Sequence, residues 1–327
     1  MENVGFILGK TYIYWSSVVL AVAAAAAICM FLGLRLASGE KMTGTFILIP
    51  FGVLLSMVLG RFVHWYCNPD SYASFVGAMG DYSSGNYALM GVFAGCAITA
   101  CVLWLLGLDK DIAGTFDCMA IAGTLGMSVG RLNHLFNSFD RGIVVQGIRS
   151  LPLVYPVENA VSGDLEYRLA TFMLQAIVAA VLFVVLMVFY FTKGRANRGD
   201  TCLLFLLCYG ASQILLDSTR YDSLFMRSNG FISLVQIFGA AFVVLSIVLF
   251  SVRMVRNRGW RWWYILLWVA VVGLLTCAGI MEYQVQRRGS EAVKFYSVMA
   301  ASLCGVAGLG VTLWALAAKV KKGKFER

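Results

Sequence analysis

Nine apolar runs, each about as long as a bilayer core is thick, constrain this chain more than any other feature. They fall at 13–36, 43–65, 87–108, 112–136, 169–191, 201–216, 231–252, 262–281 and 296–318. A helix needs about 20 apolar residues to cross the hydrocarbon. At that depth no water is present to bond a bare backbone, so only helices and closed barrels span. Barrel strands would alternate in polarity over about 10 residues, and these runs do not. Hydrophobic residues are 60% of the chain and charged ones 13%, whereas soluble domains sit near one half and one quarter. The expected fold is all-α, a polytopic transmembrane bundle of about nine helices. The run at 201–216 is short for a span.

Loop charge gives an expected orientation. Lys193, Arg195 and Arg198, then Arg253 to Arg261, then the tail Lys319 to Arg327 fall on one side of a nine-helix count, with Arg35, Lys41 and Lys110. The positive-inside rule makes that side cytoplasmic, with the N-terminus outside. Mixed residues precede the first long run, which reads as an anchor and not a cleavable signal. Basic residues beside anionic lipid account for the net charge of +9, so no nucleic-acid partner is implied.

Two unequal parts are expected. Residues 1–252 hold seven helices and nearly all the polar residues at membrane depth. Residues 253–327 add two ordinary apolar helices and a basic tail, behind an interfacial belt of Trp260, Trp262, Trp263 and Tyr264. Eight of nine cysteines lie within apolar runs, where a thiol behaves as a small hydrophobe. Two histidines and no ligand spacing imply no metal site, and no cofactor is implied.

Candidate chemistry gathers at one helix end. Gly130-Arg131-Leu132-Asn133-His134-Leu135-Phe136-Asn137 closes the fourth run, and an arginine at membrane depth usually marks a site. Asp117, fourteen residues earlier, reads as an interfacial charge near the cytoplasmic end. Gly91 and Gly95 share one face of the third helix, and Gly123, Gly126 and Gly130 one face of the fourth. Small residues so spaced let helices approach closely. A tight third–fourth helix contact is therefore expected, bringing Asn86 and Tyr87 near Asn133 and Asn137.

Five blocks in order resemble bacterial prolipoprotein diacylglyceryl transferases. Gly60-Arg61, running to Asn68 and Tyr72, is similar to the family's Gly-Arg segment. Ser84-Gly85-Asn86-Tyr87, running to Gly91 and Gly95, is similar to its glycine-rich block. Gly130 to Asn137 resembles its signature Gly-Arg-x-Gly-Asn-Phe-x-Asn-Gly-Glu. Leu151-Pro152 to Pro156 resembles the proline-bearing segment that follows. Tyr209-Gly210, with Gln213, Asp217, Arg220 and Asp222, resembles Tyr-Gly-x-x-Arg-x-x-x-Glu-x-x-Arg-x-x-Asp, and Gln236 fits a later block. The chain departs from the pattern at several positions. Leu89 replaces a His or Tyr, and Asn133-His134 replaces Gly-Asn. Ser138-Phe139 replaces Gly-Glu, with Asp140 one place late. Gln213 replaces an arginine, and Asp217 a glutamate.

The resemblance implies transfer of a diacylglyceryl group from phosphatidylglycerol to the lipobox cysteine of a prolipoprotein signal peptide, in the bacterial cytoplasmic (inner) membrane. The phosphodiester calls for fixed guanidinium groups and the thiol for a base. Arg131, His134 and Asp140 are the expected catalytic residues, with His134 the first candidate base. Arg61, Asn86, Asn133, Asn137, Gln213, Asp217 and Arg220 are the expected substrate-binding residues. Simpler readings stand beside these: Arg131 snorkelling to headgroups, the asparagines cross-linking helices, and Asp217–Arg220 a local ion pair. A lipid- or lipoprotein-binding relative without the reaction is the alternative function. A small-solute transporter ranks last, since no internal repeat is visible.

Overall fold

The computed structural model describes residues 4–8, 11–40, 42–80, 86–137, 139–145, 153–158, 163–226, 229–288 and 291–317. Ten α-helices run through these residues: α1 Trp15–Ala37, α2 Met42–Cys67, α3 Phe75–Gly80, α4 Leu89–Leu105, α5 Ile112–Gly130, α6 Thr171–Thr192, α7 Asp200–Ser218, α8 Leu234–Arg258, α9 Tyr264–Arg287 and α10 Ala292–Ala317. Eight are long and apolar enough to cross a membrane, and α4 is a shorter apolar helix. The protein is a multi-pass, all-α membrane bundle. The short member is α4, not α7: the chain leaves α4 into Gly107 at φ 71°, while α7 extends to 19 residues.

Three two-stranded antiparallel hairpins interrupt the helices: β1 Val4–Leu8 with β2 Thr11–Tyr14, β3 Val154–Glu158 with β4 Leu165–Leu169, and β5 Phe225–Met226 with β6 Asn229–Ser233. Because successive spans alternate in direction, all three lie at one end of the bundle, the hairpin end. They are too short to register as apolar runs. The blocks at Ser84-Gly85, Leu151-Pro152 and Ser138, with Lys41 and the tail from Lys319, fall outside the described residues.

Two apolar cores share α7. Leu204, Phe205 and Tyr209 face one core with Phe31, Leu34, Leu103, Ile121 and Leu186. Leu203, Leu207 and Ala211 face the other with Val243, Ile247, Phe250, Tyr264, Met299 and Leu313. The aromatic belt before α9 is split. Trp260 and Trp262 are exposed, but Tyr264 turns inward and is buried.

The glycine faces meet different neighbours from those expected. A Cβ on Gly95 would lie 2.5 Å from Ser56 Cα, and one on Gly91 would strike Leu59 and Gly60, so both glycines face α2. Gly126 and Gly130 face Ala27 and Ala23 of α1. The tight pairs are α2–α4 and α1–α5. Spacing identifies which face is small but not which helix covers it, so the expected α4–α5 contact does not form the tight seam.

The far end carries buried charge as well. Arg35 is 2% exposed and donates from Nη1 to Thr115 Oγ1 at 2.7 Å and from Nη2 to Asp109 Oδ1 at 3.3 Å. Asp117 is buried, not interfacial. Its carboxyl accepts from Gly199 N and Cys202 N, each at 2.7 Å, and so caps the first turn of α7 from another helix, satisfying N–H groups that every helix start leaves open.

Replacing Gly95 with leucine should open the α2–α4 seam, since overpacking of a close contact costs about 1–3 kcal/mol. A thermal melt of the detergent-purified protein should show the loss. Gly123→Ala should melt like the parent, because its Cβ meets nothing within 4 Å.

Candidate functional site

The fourth apolar run does not stay α-helical to its end. After α5 the chain tightens into a 3₁₀ turn at Arg131–Leu135, and this turn aims the polar residues inward under the hairpin-end loops. Asn133 Nδ2 donates to Gly130 O at 2.6 Å, Asn137 Nδ2 donates to Asn133 Oδ1 at 3.0 Å, and Asn137 Oδ1 faces His134 Nδ1 at 2.9 Å. The two amides thus act as a local scaffold for the turn.

Asp140 lies at the centre of the site. It is 3% exposed and has φ 56°, a left-handed backbone that non-glycine residues seldom adopt and that aspartate tolerates better than most. Pairing of the flanking chain holds it there. Gly142 N donates to Leu169 O at 2.7 Å, Tyr221 N to Arg141 O at 2.9 Å and Asp140 N to Asp222 Oδ2 at 2.9 Å. From this position one carboxylate oxygen bonds Arg131 Nη1 and faces His134 Nε2 at 3.1 Å, while the other bonds Arg220 Nη2. Arg220 also pairs with Asp217 Oδ1 and Asp222 Oδ1, both at 3.1 Å. The expected local Asp217–Arg220 pair is therefore present, as one part of a larger cluster. Two motif blocks far apart in sequence converge on a single anion.

The electrostatics follow from this packing. Burial works to raise the Asp140 pKa, but Arg131 and Arg220 outweigh it and hold the carboxyl well below the usual carboxylate range. Burial works to lower the Arg220 pKa, yet Asp140, Asp217 and Asp222 carry it above its ordinary value. His134 has an acceptor at both ring nitrogens, an amide oxygen at Nδ1 and the carboxylate at Nε2. To act as a base, the ring must free one of these nitrogens from its partner.

The remaining expected residues are distributed around this cluster. Arg61, 1% exposed, donates from Nε to Ala78 O at 2.7 Å and from Nη1 to Asn86 O at 3.0 Å, and lies over the rings of Tyr72 and Tyr87. It holds the α2–α4 connection, with Asn86 as its partner. Asn86 is anchored through its carbonyl to α2. Gln213 accepts from Gln175 Nε2 at 3.2 Å within the α6–α7 contact, so it joins helices where an arginine was the family pattern.

Two residues of the cluster were not among the expected site residues. Asp222, quoted from sequence only as the end of the Tyr-Gly block, is a ligand of both Arg220 and the Asp140 backbone. Arg141 is 7% exposed and lies 4.6 Å over Phe172 and 5.0 Å over Tyr155, with Nη2 donating to His134 O at 3.0 Å and Asn137 O at 2.9 Å. Burial lowers its pKa. The signal that could have found both is adjacency: each flanks a charge already chosen, in a loop that must fold back over a membrane-end arginine.

Comparisons with known proteins place this arrangement in context. The family model described as prolipoprotein diacylglyceryl transferase matches residues 3–252. A phosphatidylglycerol–prolipoprotein diacylglyceryl transferase of Clostridium novyi (strain NT) is 24% identical over 227 residues, covering 67% of this chain and 82% of the relative. One from Streptococcus equi subsp. zooepidemicus (strain MGCS10565) is 24% identical over 269 residues, covering 79% and 97%. One from Lactococcus lactis subsp. lactis (strain IL1403) is 28% identical over 151 residues, covering 46% and 53%.

Asp140→Asn should cost about 3–5 kcal/mol, the scale for removing one partner of a buried ion pair. The pH dependence has a defined sign. A depressed folded pKa contributes stability above the unfolded aspartate value of about 4 and loses it as pH falls toward the folded value. The melting midpoint of the wild type should therefore fall below about pH 4, and the Asn variant should lack that part of the fall.

Proposed function

The chain belongs to the prolipoprotein diacylglyceryl transferase family, and we propose that it moves the diacylglyceryl group of phosphatidylglycerol onto the lipobox cysteine of prolipoprotein signal peptides, at the outer face of a bacterial cytoplasmic membrane. In the reaction the cysteine sulfur forms a bond to the glyceryl carbon of the lipid, and the bond from that carbon to the phosphate oxygen breaks. The thiol proton passes to a base, and glycerol phosphate leaves with the electron pair. Residues 1–252 form the transferase core in this reading, and 253–327 are an addition to it.

One observation carries the reading: Arg131 and Arg220, from two separate motif blocks, grip the same anionic group beside a histidine at the end of a membrane bundle. Arginine's planar fork suits phosphate oxygens as well as carboxylate ones. A lipid phosphate arriving between them competes with Asp140 for the same donors. As it does so, Asp140, released from the two guanidinium groups, takes the Nε2 proton, and the freed Nε2 of His134 becomes the base for the incoming thiol. Preorganised guanidinium groups then meet the charge that grows on the leaving phosphate. Asn133, Asn137 and Asp217 keep these three side chains in place. Arg61 and Asn86 hold the connection between α2 and α4.

A binding relative without the reaction is the second reading. It is favoured by Gln213, which serves helix packing in place of an arginine, and by the double engagement of His134. A host depleted of its own transferase separates the two. With this chain supplied, a reporter lipobox cysteine should gain a diacylglyceryl mass, and a reporter of unchanged mass leaves only the binding role.

In the same assay Arg131→Ala should lower transfer at least about 100-fold, the scale for a lost transition-state donor. His134→Gln should lower it about 100-fold or more and flatten the rise of rate with pH, as expected for a lost general base. Parental activity in Arg131→Ala would remove Arg131 from the site.

A further inference from the structure

Beside the arginine cluster, between the C-terminal end of α7, the β5–β6 hairpin and the last turns of α9, lies a cavity of about 190 Å³. Ser218, Arg220, Ser223, Phe225, Glu282 and Gln286 are among its walls. Glu282 and Gln286 belong to α9, beyond residue 252 where the family match ends. Their positions are fixed: Gln286 Nε2 donates to Phe231 O at 2.7 Å and to Glu282 Oε1 at 3.1 Å. Glu282 is only 8% exposed, and its second oxygen, Oε2, is buried without a partner; so is Ser218 Oγ. The other polar groups on this wall are occupied. Asp217 is held by Arg220 and Ser233, and Gln236 by Ser233 and Ile214. Buried polar atoms are normally satisfied, and exceptions call for an explanation.

We propose that this cavity holds the glycerol headgroup of the lipid donor, with Glu282 Oε2 and Ser218 Oγ bonding its hydroxyls and Arg220 on the phosphate side. The inference rests on the transferase reading and adds to it a specificity-determining residue supplied by an appended helix. Size supports a small occupant, since pockets for drug-sized molecules run about 300–1,000 Å³. A three-carbon polyol fits this space, and an acyl chain or a peptide does not. Of the lining charges, Asp217 is already paired with Arg220, which leaves Glu282 Oε2 as the free acceptor for a hydroxyl.

Equilibrium dialysis of the full chain in detergent with labelled glycerol 1-phosphate tests this without requiring turnover. Glu282→Ala should weaken binding at least about tenfold, as expected for a lost hydrogen bond to a charged group. Its affinity for inorganic phosphate should stay unchanged. Glu282→Gln and Ser218→Ala should each weaken glycerol phosphate binding several-fold, and they carry the test if the alanine variant at 282 fails to fold. Glu291→Gln, on the exposed side of the α9–α10 turn, should bind like wild type. Parental affinity in the Glu282 variants, tighter binding of ethanolamine phosphate than of glycerol phosphate, or no wild-type binding each overturns the proposal. Binding that depends on Glu282 without lipobox transfer would sink the transferase reading and leave the cavity's role standing. Transfer that is indifferent to Glu282 would do the reverse.

Discussion

Everything at the hairpin end depends on one carboxylate shared by two guanidinium groups. An isolated charge in this setting would cost several kcal/mol to desolvate. The bundle meets that cost by gathering opposite charges: Arg131 and Arg220 on Asp140, with Asp217 and Asp222 completing the shell of Arg220. Once Asp140 is fixed, much else follows. Its backbone must turn left-handed, the segment 139–145 must pair with β4 and with the end of α7, and the 3₁₀ turn must present His134 to the same oxygen. The loop is ordered by the ions it covers.

Much of this was legible in the sequence, for a physical reason. Spans were readable because lipid forces each to be long, apolar and helical, so the nine runs and the described helices differ mostly by a few residues at their ends. Arg131 was readable because charge at membrane depth is costly, and Asp217 and Arg220 because the block that carries them resembles the family's. Neighbour identity was not. Gly91 and Gly95 announced a small face, but nothing local says that α2 fills it. Asp117 looked interfacial because its position in the run is visible, whereas the open N–H groups of α7 that it caps lie more than eighty residues on. Arg61 could be recognised as important but not assigned to a loop clamp. Glu282 sat in a helix that no motif covered, and only folding sets it beside Arg220.

Electrostatic care is taken at both ends of the bundle. At the far end Arg35 is enclosed by Thr45, Thr115 and Asp109, and Asp200 joins Arg253 to Trp314 Nε1. These contacts use neutral hydroxyls and an indole as well as ions. The hairpin end instead concentrates three carboxylates, three guanidinium groups and a histidine within one connected set. The first arrangement holds helices together. The second gathers opposite charges around one loop.

The position of α7 between two cores bears on how a chain can acquire or shed helices. In lipid, apolar side chains gain little from touching protein instead of acyl tails, so Leu207, Val243 and Phe250 would tolerate removal of α9 and α10. The bonds from Trp314 to Asp200, from Asn257 to Ala317 O and from Tyr296 to Ser218 O would not be replaced by hydrocarbon. Attachment of the last two helices is thus polar in origin, like a few rivets through an otherwise greased joint. Deleting the pair would leave the Ser218 carbonyl and the Asn257 amide without these partners, while Asp200 would keep Arg253.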